Sequence, residues 1–338
     1  LVGSEMCIRD SVCRADINTG EVEVLIEERM NTYIETRPLY LIKNETEMIH
    51  WSEKDGWAHF YRHDINGNLL NRITSGPFHS DNIKYYDQKS NFLFFSAHGV
   101  NKEIDPYYEH TYKISLNGGV PKLLNKGDFN TMTYPSDNHK FFVNNFSRVN
   151  TTPKSNLINS DGSVIMNLET ADLSALFESG YKFPETFKAK ADDGITDLYG
   201  VIYKPFDFDE NKKYPLLEYV YPGPQTESVN KSFSVRMDRL DRMAQLGFIV
   251  ITLGNRGGHP DRSKWYHNYG YGNLRDYGLA DKKYVAQQLA NRHDFIDINR
   301  VGIYGHSGGG FMSTAAILVY PDFFKVCLLY TSPSPRDL

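Results

Sequence analysis

The stretch Val301-Gly-Ile-Tyr-Gly-His-Ser-Gly-Gly-Gly310 decides the fold of the second half of the chain. Its first four residues, Val301–Tyr304, predict a short buried strand that runs directly into Gly305-His-Ser-Gly-Gly309, which has the G-x-S-x-G spacing. Apolar side chains then recur at helical intervals, at Phe311, Met312, Ala315, Ala316 and Val319. A strand, a sharp turn and a helix form the context in which this pattern builds a nucleophile elbow.

Ser307 is therefore the predicted nucleophile, held in a strained conformation at the apex of the turn with its hydroxyl exposed. Gly305 and Gly309 leave room for the turn, because a Cβ at either position would collide with the strand or the helix. The backbone N–H of Gly308 lies at the helix N-terminus, where a developing oxyanion is stabilised. His306 adjoins the serine, but side chains at adjacent positions of a sharp turn diverge, so it is not expected to be the catalytic base.

Length and composition indicate a globular protein with room for two domains. The 338 residues are 40% hydrophobic and 14% aromatic, and the 23 tyrosines favour β-rich structure. The net charge of −5 and a pI near 6.1 give no support for nucleic-acid binding. No apolar run approaches the roughly 18 residues that would span a membrane.

Both ends of the chain are expected to be translated sequencing adapter, at residues 1–11 and 327–338. Back-translation of Leu1–Ser11 gives a DNA word whose complementary strand encodes Cys327–Asp337 residue for residue. Such segments are excluded from fold reasoning. Cys13 is then the single remaining cysteine, so neither a disulfide framework nor a zinc spacing is expected.

The first half of the chain predicts the blades of a β-propeller. Short apolar runs are broken by turns whose glycines, Gly20, Gly67, Gly118 and Gly162, recur at intervals of 47, 51 and 44 residues. Each interval has room for about four strands, and a period near 45 residues is typical of propeller blades. An irregular β-sandwich is the alternative. The histidines of this half, His59, His63, His79 and His98, lack metal-ligand spacing and are predicted to lie at the surface or at blade edges.

The second half alternates between strands and helices, which predicts a parallel sheet with crossover helices. Phe187–Ala191 and Leu198–Lys204 are expected to be antiparallel strands. Leu216–Tyr221 and Phe248–Leu253 are expected to be buried strands, separated by a helix over Arg236–Leu246. A second helix is expected to lead to the elbow strand, with Tyr277, Ala280, Tyr284, Val285 and Leu289 sharing one of its faces.

These features together resemble the prolyl oligopeptidase family of serine peptidases. The resemblance rests on the propeller, on Tyr221-Pro-Gly-Pro224 after a strand and on Gly305-His-Ser-Gly-Gly309, and it covers nearly all of residues 12–326. The stretch Trp51–Tyr61 is similar to the dipeptidyl peptidase IV branch in particular. The resemblance implies a partial β-propeller over residues 12–184, followed by an α/β-hydrolase domain over residues 185–326.

The resemblance also implies roles for particular residues. Ser307 would form the acyl-enzyme, and Tyr221 would donate its hydroxyl to the oxyanion beside the N–H of Gly308. A phenol is protonated at neutral pH and can donate in this way. As an alternative, Tyr221 is an aromatic side chain that only packs at a strand end.

The catalytic acid and base are expected to be absent from this chain. In an α/β hydrolase the order is Ser, then Asp, then His. Asp322 follows the elbow helix too closely to be the acid, and no histidine follows Ser307. His259 and His267 are interpreted as loop residues. The elbow strand is expected to lack a partner on its far edge, and the chain by itself is expected to be inactive.

The predicted function is that of a serine peptidase that releases N-terminal dipeptides after proline or alanine. Two alternatives remain open: a carboxylesterase on the same fold, or a peptide-binding propeller with a vestigial hydrolase domain. No cofactor and no metal are expected. Peptides are the expected partners, and the resemblance suggests a homodimer in a periplasmic or extracellular location.

Overall fold

Twenty strands and five α-helices are formed by residues 8–234, 239–273 and 276–330, which are the residues that the computed structural model describes. They divide into two compact units. The first comprises the residues up to Phe146 together with Ser155–Glu169 and Asp261–Tyr271. The second comprises Ser147–Lys154, Thr170–Pro260 and the residues from Gly272 onward. The predicted domain boundary at residue 184 stays a prediction.

Most strands of the first unit form three sheets of four strands each, preceded by an antiparallel pair. The pair is β1 (Arg9–Ala15) and β2 (Val22–Arg29). The sheets, each in chain order, are β3 (Tyr40–Ile42), β4 (Glu47–Ser52), β5 (His59–Asp64) and β6 (Leu69–Arg72); β7 (His79–Asp87), β8 (Phe92–His98), β9 (Glu109–Ser115) and β10 (Lys122–Leu123); and β11 (Asn130–Pro135), β12 (Phe141–Ser147), β13 (Lys154–Asn159) and β14 (Val164–Thr170). This order confirms the predicted propeller blades.

The recurring glycine turns have a shared packing role. Gly67 lies between the third and fourth strands of its sheet and has φ of +86°. A Cβ there would overlap the carbonyl of Leu25, which belongs to β2 in the preceding two-stranded sheet. Gly162 repeats the arrangement two sheets later, with φ of +91° and the carbonyl of Leu124 as its neighbour. The 44- to 51-residue spacing therefore marks where each blade closes against the one before it.

Apolar side chains fill the space between consecutive blades. Phe60 meets Phe95 edge to face with ring centroids 5.6 Å apart, and both are almost wholly buried. Phe94 lies 5.7 Å from Phe142, which links the second four-stranded sheet to the third. Two separate apolar clusters thus connect the blades, one between the first and second four-stranded sheets and one between the second and third.

The prediction that four histidines lie at the surface or at blade edges was wrong. Their exposed fractions are 2% for His59, 3% for His63, 0% for His79 and 6% for His98. A buried imidazole is tolerated where its nitrogens find partners, and His59 shows how: Nδ1 lies 3.2 Å from Thr74 Oγ1 and Nε2 lies 3.0 Å from the Gly76 carbonyl.

The second unit is built on a six-stranded sheet in the order β15-β16-β18-β17-β19-β20. β16 pairs antiparallel with both β15 and β18, and the remaining pairs, β18 with β17, β17 with β19 and β19 with β20, are parallel. The strands are β15 (Glu185–Lys190), β16 (Asp197–Tyr203), β17 (Tyr214–Val220), β18 (Ile249–Leu253), β19 (Ile296–His306) and β20 (Phe324–Tyr330). The α/β-hydrolase prediction is confirmed.

Four helices belong to this unit and one to the first. The four are α1 (Ser174–Glu178), α2 (Arg239–Ala244), α4 (Leu279–Arg292) and α5 (Gly308–Val319). The fifth, α3 (Lys264–His267), lies in Asp261–Tyr271, which belongs to the first unit. The predicted start of α2 at Arg236 lies outside the described residues. Among those residues, none of the helices has the length and apolar character needed to cross a membrane.

Two expectations for this unit were wrong. The far edge of the elbow strand is paired, because β20 runs parallel to β19 from Val301 to His306. Tyr284 is 39% exposed, whereas Asp281 and Lys282 are fully buried on the inner face of α4. The hydrophobic pattern of the sequence does not predict the inner face of α4, because that face includes two charged side chains, Asp281 and Lys282, whose partners lie elsewhere in the same unit.

Candidate active site

Ser307 occupies the turn between β19 and α5. Its backbone has φ of +54° and ψ of −117°, outside the regions that L-residues favour, and the residue is exposed. A side chain held in this way at a strand-to-helix turn is the feature that presents a nucleophile above an α/β-hydrolase sheet. The predicted geometry of the elbow is present.

Two glycines make the turn sterically feasible. A Cβ on Gly305 or on Gly309 would overlap the carbonyl oxygen of Val220, the last residue of the neighbouring strand β17. The backbone at Gly305 and Gly309 approaches the Val220 carbonyl this closely because α5 begins directly over the ends of β17 and β19. Any side chain at either position would force the helix away from the sheet.

Tyr221 lies beside the beginning of α5. It directly follows β17, is half-buried, and places its Cζ carbon, which carries the hydroxyl, 4.0 Å from the point where a Cβ on Gly308 would sit. The first turn of α5 contains no acidic residue of its own that would compete for its backbone N–H groups. The structure thus brings together Ser307, Gly308 and Tyr221, the three residues that the sequence selected.

The strand end that carries Tyr221 is fixed by hydrogen bonds to the next residue. The Pro222 carbonyl accepts from the Tyr277 hydroxyl at 2.8 Å and from the Asn255 side-chain amide at 3.2 Å. Burial raises the pKa of Tyr277, which keeps its hydroxyl protonated as a donor. The backbone N–H of Asn255 in turn donates to the buried Glu227 carboxylate at 3.2 Å. These contacts define the direction in which the chain leaves the sheet.

Three other polar residues were considered for the site. Asp322 is exposed in the turn that follows α5. His267 ends α3, is 5% exposed, and belongs to the first unit, so its interpretation as a loop residue was wrong. His306 is half-buried at the end of β19.

Two family models match successive parts of the chain. The first describes the dipeptidyl peptidase IV N-terminal region and matches residues 8–153. The second describes the prolyl oligopeptidase family and matches residues 233–333, which include the elbow. The chain belongs to the prolyl oligopeptidase family.

Individual relatives of this prolyl oligopeptidase family chain carry dipeptidyl peptidase names. Human dipeptidyl peptidase 8 is 39% identical over 149 residues, which are 44% of this chain and 16% of the relative. A probable dipeptidyl-aminopeptidase B of Talaromyces marneffei is 28% identical over 271 residues, which are 77% of this chain and 29% of the relative. The chain thus spans less than a third of these curated relatives.

Solved structures show the same fold. A "putative dipeptidyl aminopeptidase IV" from Bacteroides ovatus matches with a TM-score of 0.83 and 26% identity, over 95% of this chain and 48% of its own. Porphyromonas gingivalis dipeptidyl peptidase 4 matches with a TM-score of 0.82 and 23% identity, over 95% of this chain and 45% of its own. The second likeness concerns the fold alone.

Sequence reasoning missed the residues that support Tyr221 in this family member. Tyr277 was assigned to a helix face, and Asn255 and Glu227 were not singled out. Their roles depend on how loops meet beyond the strand ends, and one sequence contains no periodic signal for such contacts. The dipeptide Pro222-Gly223 was the one local hint, since a turn directly after a strand indicates a shaped loop.

Proposed function

We propose that this chain is the central part of a longer serine peptidase that removes dipeptides from peptide N-termini, cleaving after proline or alanine. The main observation that supports this proposal is the exposed Ser307, which has φ of +54° between β19 and α5, with Tyr221 beside the N-terminus of α5. Dipeptidyl peptidase names among the relatives support the substrate class.

The chemistry follows from these positions. The Oγ of Ser307 attacks the carbonyl carbon of the scissile peptide bond as a general base takes its proton. The former carbonyl oxygen becomes an oxyanion, which accepts hydrogen bonds from the Gly308 N–H and the Tyr221 hydroxyl. Collapse of this intermediate releases the new amine, which receives the proton, and leaves an acyl-enzyme on Ser307. Water then hydrolyses the ester and regenerates the serine.

The base and its acid partner are proposed to lie on segments that follow this chain, as the order of residues in the fold requires. The chain by itself is accordingly proposed to be inert. Acidic side chains that hold the free substrate amine are proposed to lie upstream. A homodimer is the proposed assembly, to be checked by light scattering.

The nucleophile is tested with a fluorophosphonate probe on the longer protein. We expect labelling of Ser307 alone, mapped by mass spectrometry, and none in Ser307→Ala. Thr314→Ala, which removes another hydroxyl group from α5, is the matched control and should keep the label. Labelling that persists in Ser307→Ala would remove the assignment.

The reaction class is tested by comparing substrates. A dipeptide-proline anilide should be turned over much faster than the same anilide with its amino group acetylated, because a dipeptidyl peptidase needs the free N-terminus. Equal rates on both, or preference for a simple p-nitrophenyl ester, would favour the carboxylesterase. Absence of both labelling and turnover would favour a peptide-binding protein.

A further inference from the structure

Three potential metal ligands converge at one end of the sheet formed by β7–β10. Asp81 lies on β7, His98 ends β8 and Glu109 begins β9, directly opposite His98 in the strand register. One ligand atom from each lies within 4.8 Å of the other two. The strand register breaks between Ser80 and Ile83, and such an irregularity re-aims the intervening side chains.

The surroundings of His98 suit it as a metal ligand. It is 6% exposed, and its Nδ1 lies 3.1 Å from the Tyr107 carbonyl, which can only accept a hydrogen bond. Nδ1 therefore carries the proton, and in the neutral ring Nε2 keeps its lone pair. Nε2 lies 3.6 Å from the Asp261 carboxylate, farther than a hydrogen bond. A backbone carbonyl that holds one ring nitrogen so that the other faces an ion is the usual arrangement of a metal-binding histidine.

Asp261 adds a carboxylate from a distant part of the sequence. It begins the segment Asp261–Tyr271, which belongs to the same compact unit as β7–β9. Its second carboxylate oxygen lies 4.0 Å from Nε2 of His79, the residue opposite His98 in the register. The cluster therefore joins three adjacent strands to this segment.

The charges around the cluster favour a cation. Three carboxylates meet two basic side chains, with Arg37 3.9 Å from Asp81 and Lys84 3.0 Å from Glu109. These five side chains and a neutral His98 sum to one negative charge, and Glu35, 2.6 Å from Arg37, adds another.

We propose that Asp81, His98, Glu109 and Asp261 form a structural binding site for a divalent transition metal ion, best suited to Zn²⁺. One nitrogen and several carboxylate oxygens match Zn²⁺, whereas Ca²⁺ takes oxygen ligands alone. Tetrahedral ligands about 2.1 Å from Zn²⁺ are roughly 3.4 Å apart, so ligand atoms that lie up to 4.8 Å apart need to approach one another by up to about 1.4 Å. The ion would tie Asp261–Tyr271 to the blade.

Zinc binding is measured on protein stripped with a chelator, by competition with a chromophoric zinc indicator. We expect one Zn²⁺ per chain, and binding weakened roughly 100-fold in His98→Gln. Asp81→Asn, which preserves shape while removing charge, should weaken binding at least about 10-fold. His59→Gln is the matched control, because His59 is equally buried but both of its ring nitrogens have partners; it should bind zinc like the unmodified protein.

A second measurement is independent of the indicator. Trypsin can cut after Arg262 and Lys264, and zinc should slow that cleavage in the unmodified protein and in His59→Gln but not in His98→Gln. Sub-stoichiometric binding, equal affinity in Asp81→Asn, or zinc-independent cleavage would overturn the proposal. The cluster would then be an ion-paired group centred on a protonated His98.

Discussion

Replacement of Lys282 by methionine should destabilise the hydrolase unit strongly, because Lys282 and Glu218 form a pair with no exposed surface. Lys282 lies on α4 and Glu218 on the central strand β17, each with an exposed fraction of 0%. The Lys282 ammonium is 3.9 Å from the nearer Glu218 oxygen and donates to the Leu253 carbonyl. Neither carboxylate oxygen of Glu218 has a hydrogen-bond partner.

The size of this destabilisation follows from two opposing free energies, the attraction between the two charges and the cost of removing them from water. At 3.9 Å and an effective dielectric constant of about 20, the attraction between the charges is about 4 kcal/mol. Removing each ion from water costs several kcal/mol, so the pair contributes little net stability compared with apolar side chains. Lys282→Met leaves the Glu218 charge buried and unpaired and should lower the free energy of unfolding by about 3–5 kcal/mol. Glu218→Leu combined with Lys282→Met should restore it to within about 1 kcal/mol.

The loss should also depend on pH. Burial, partly opposed by Lys282, raises the pKa of Glu218 to about 7, and removing Lys282 moves that pKa higher. Since the folded value exceeds the unfolded one, the folded state binds more protons between them. Stability from this group is therefore complete below about pH 4.5 and is lost as the pH rises through 7. Lys282→Met should be much less harmful at pH 5.5 than at pH 8.

The measurement must report on the right unit. All three tryptophans, Trp51, Trp57 and Trp265, belong to the first unit, so their fluorescence does not follow the hydrolase sheet. Urea unfolding read by pulse proteolysis, with fragments assigned by mass spectrometry, separates the two units. Lys283→Met, at the partly exposed neighbouring position, is the control; it loses cation–π contacts with Tyr320 and Phe323 and should cost no more than about 1 kcal/mol. A loss below 1 kcal/mol in Lys282→Met, or additive losses in the double variant, would refute the reasoning.

Three further variants test the geometry of the candidate active site in the longer protein. Tyr221→Phe removes one proposed oxyanion donor and should lower kcat roughly 10²–10³-fold with KM nearly unchanged; a variant with kcat close to that of the unmodified enzyme contradicts the role. Gly309→Ala places a methyl group against the Val220 carbonyl and should abolish fluorophosphonate labelling, with a loss of stability of about 1–3 kcal/mol or more seen in urea unfolding; full labelling would show that the turn tolerates a Cβ. Tyr277→Phe removes one donor to the strand end that carries Tyr221, so kcat should fall by about 10-fold while stability changes by about 1 kcal/mol; equal kcat would show that the remaining contacts suffice.

The elbow could be predicted from sequence because its requirements are local. A strand, a G-x-S-x-G turn and a helix follow one another within twenty residues, and each glycine is needed where backbone meets backbone. The role expected for Tyr221 came from the family resemblance, which rests in part on the local sequence Tyr221-Pro-Gly-Pro224 after a strand. The blade period was visible because Gly67 and Gly162 each close a blade against its neighbour in the same way.

What sequence reasoning missed depends on partners far along the chain. Histidines were placed at the surface from their polarity, yet His98 is buried by residues from β9 and by Asp261. No sequence pattern marks Lys282 as buried, and its partners, Glu218 and the Leu253 carbonyl, lie on other elements. Polarity gives the average environment of a residue type, and tertiary pairing overrides that average at these sites.

The membership of Asp261–Tyr271 in the first unit has a consequence for synthesis on the ribosome. Lys264 reaches back 211 positions to Glu53, which is 2% exposed, and binds its carboxylate at 2.8 Å. Until that lysine has emerged from the ribosomal exit tunnel, Glu53 has no such cation, so the propeller unit cannot finish folding in the order in which it is made. Nascent chains stalled shortly before residue 261 should therefore be more protease-sensitive in the propeller unit than chains stalled well after residue 271.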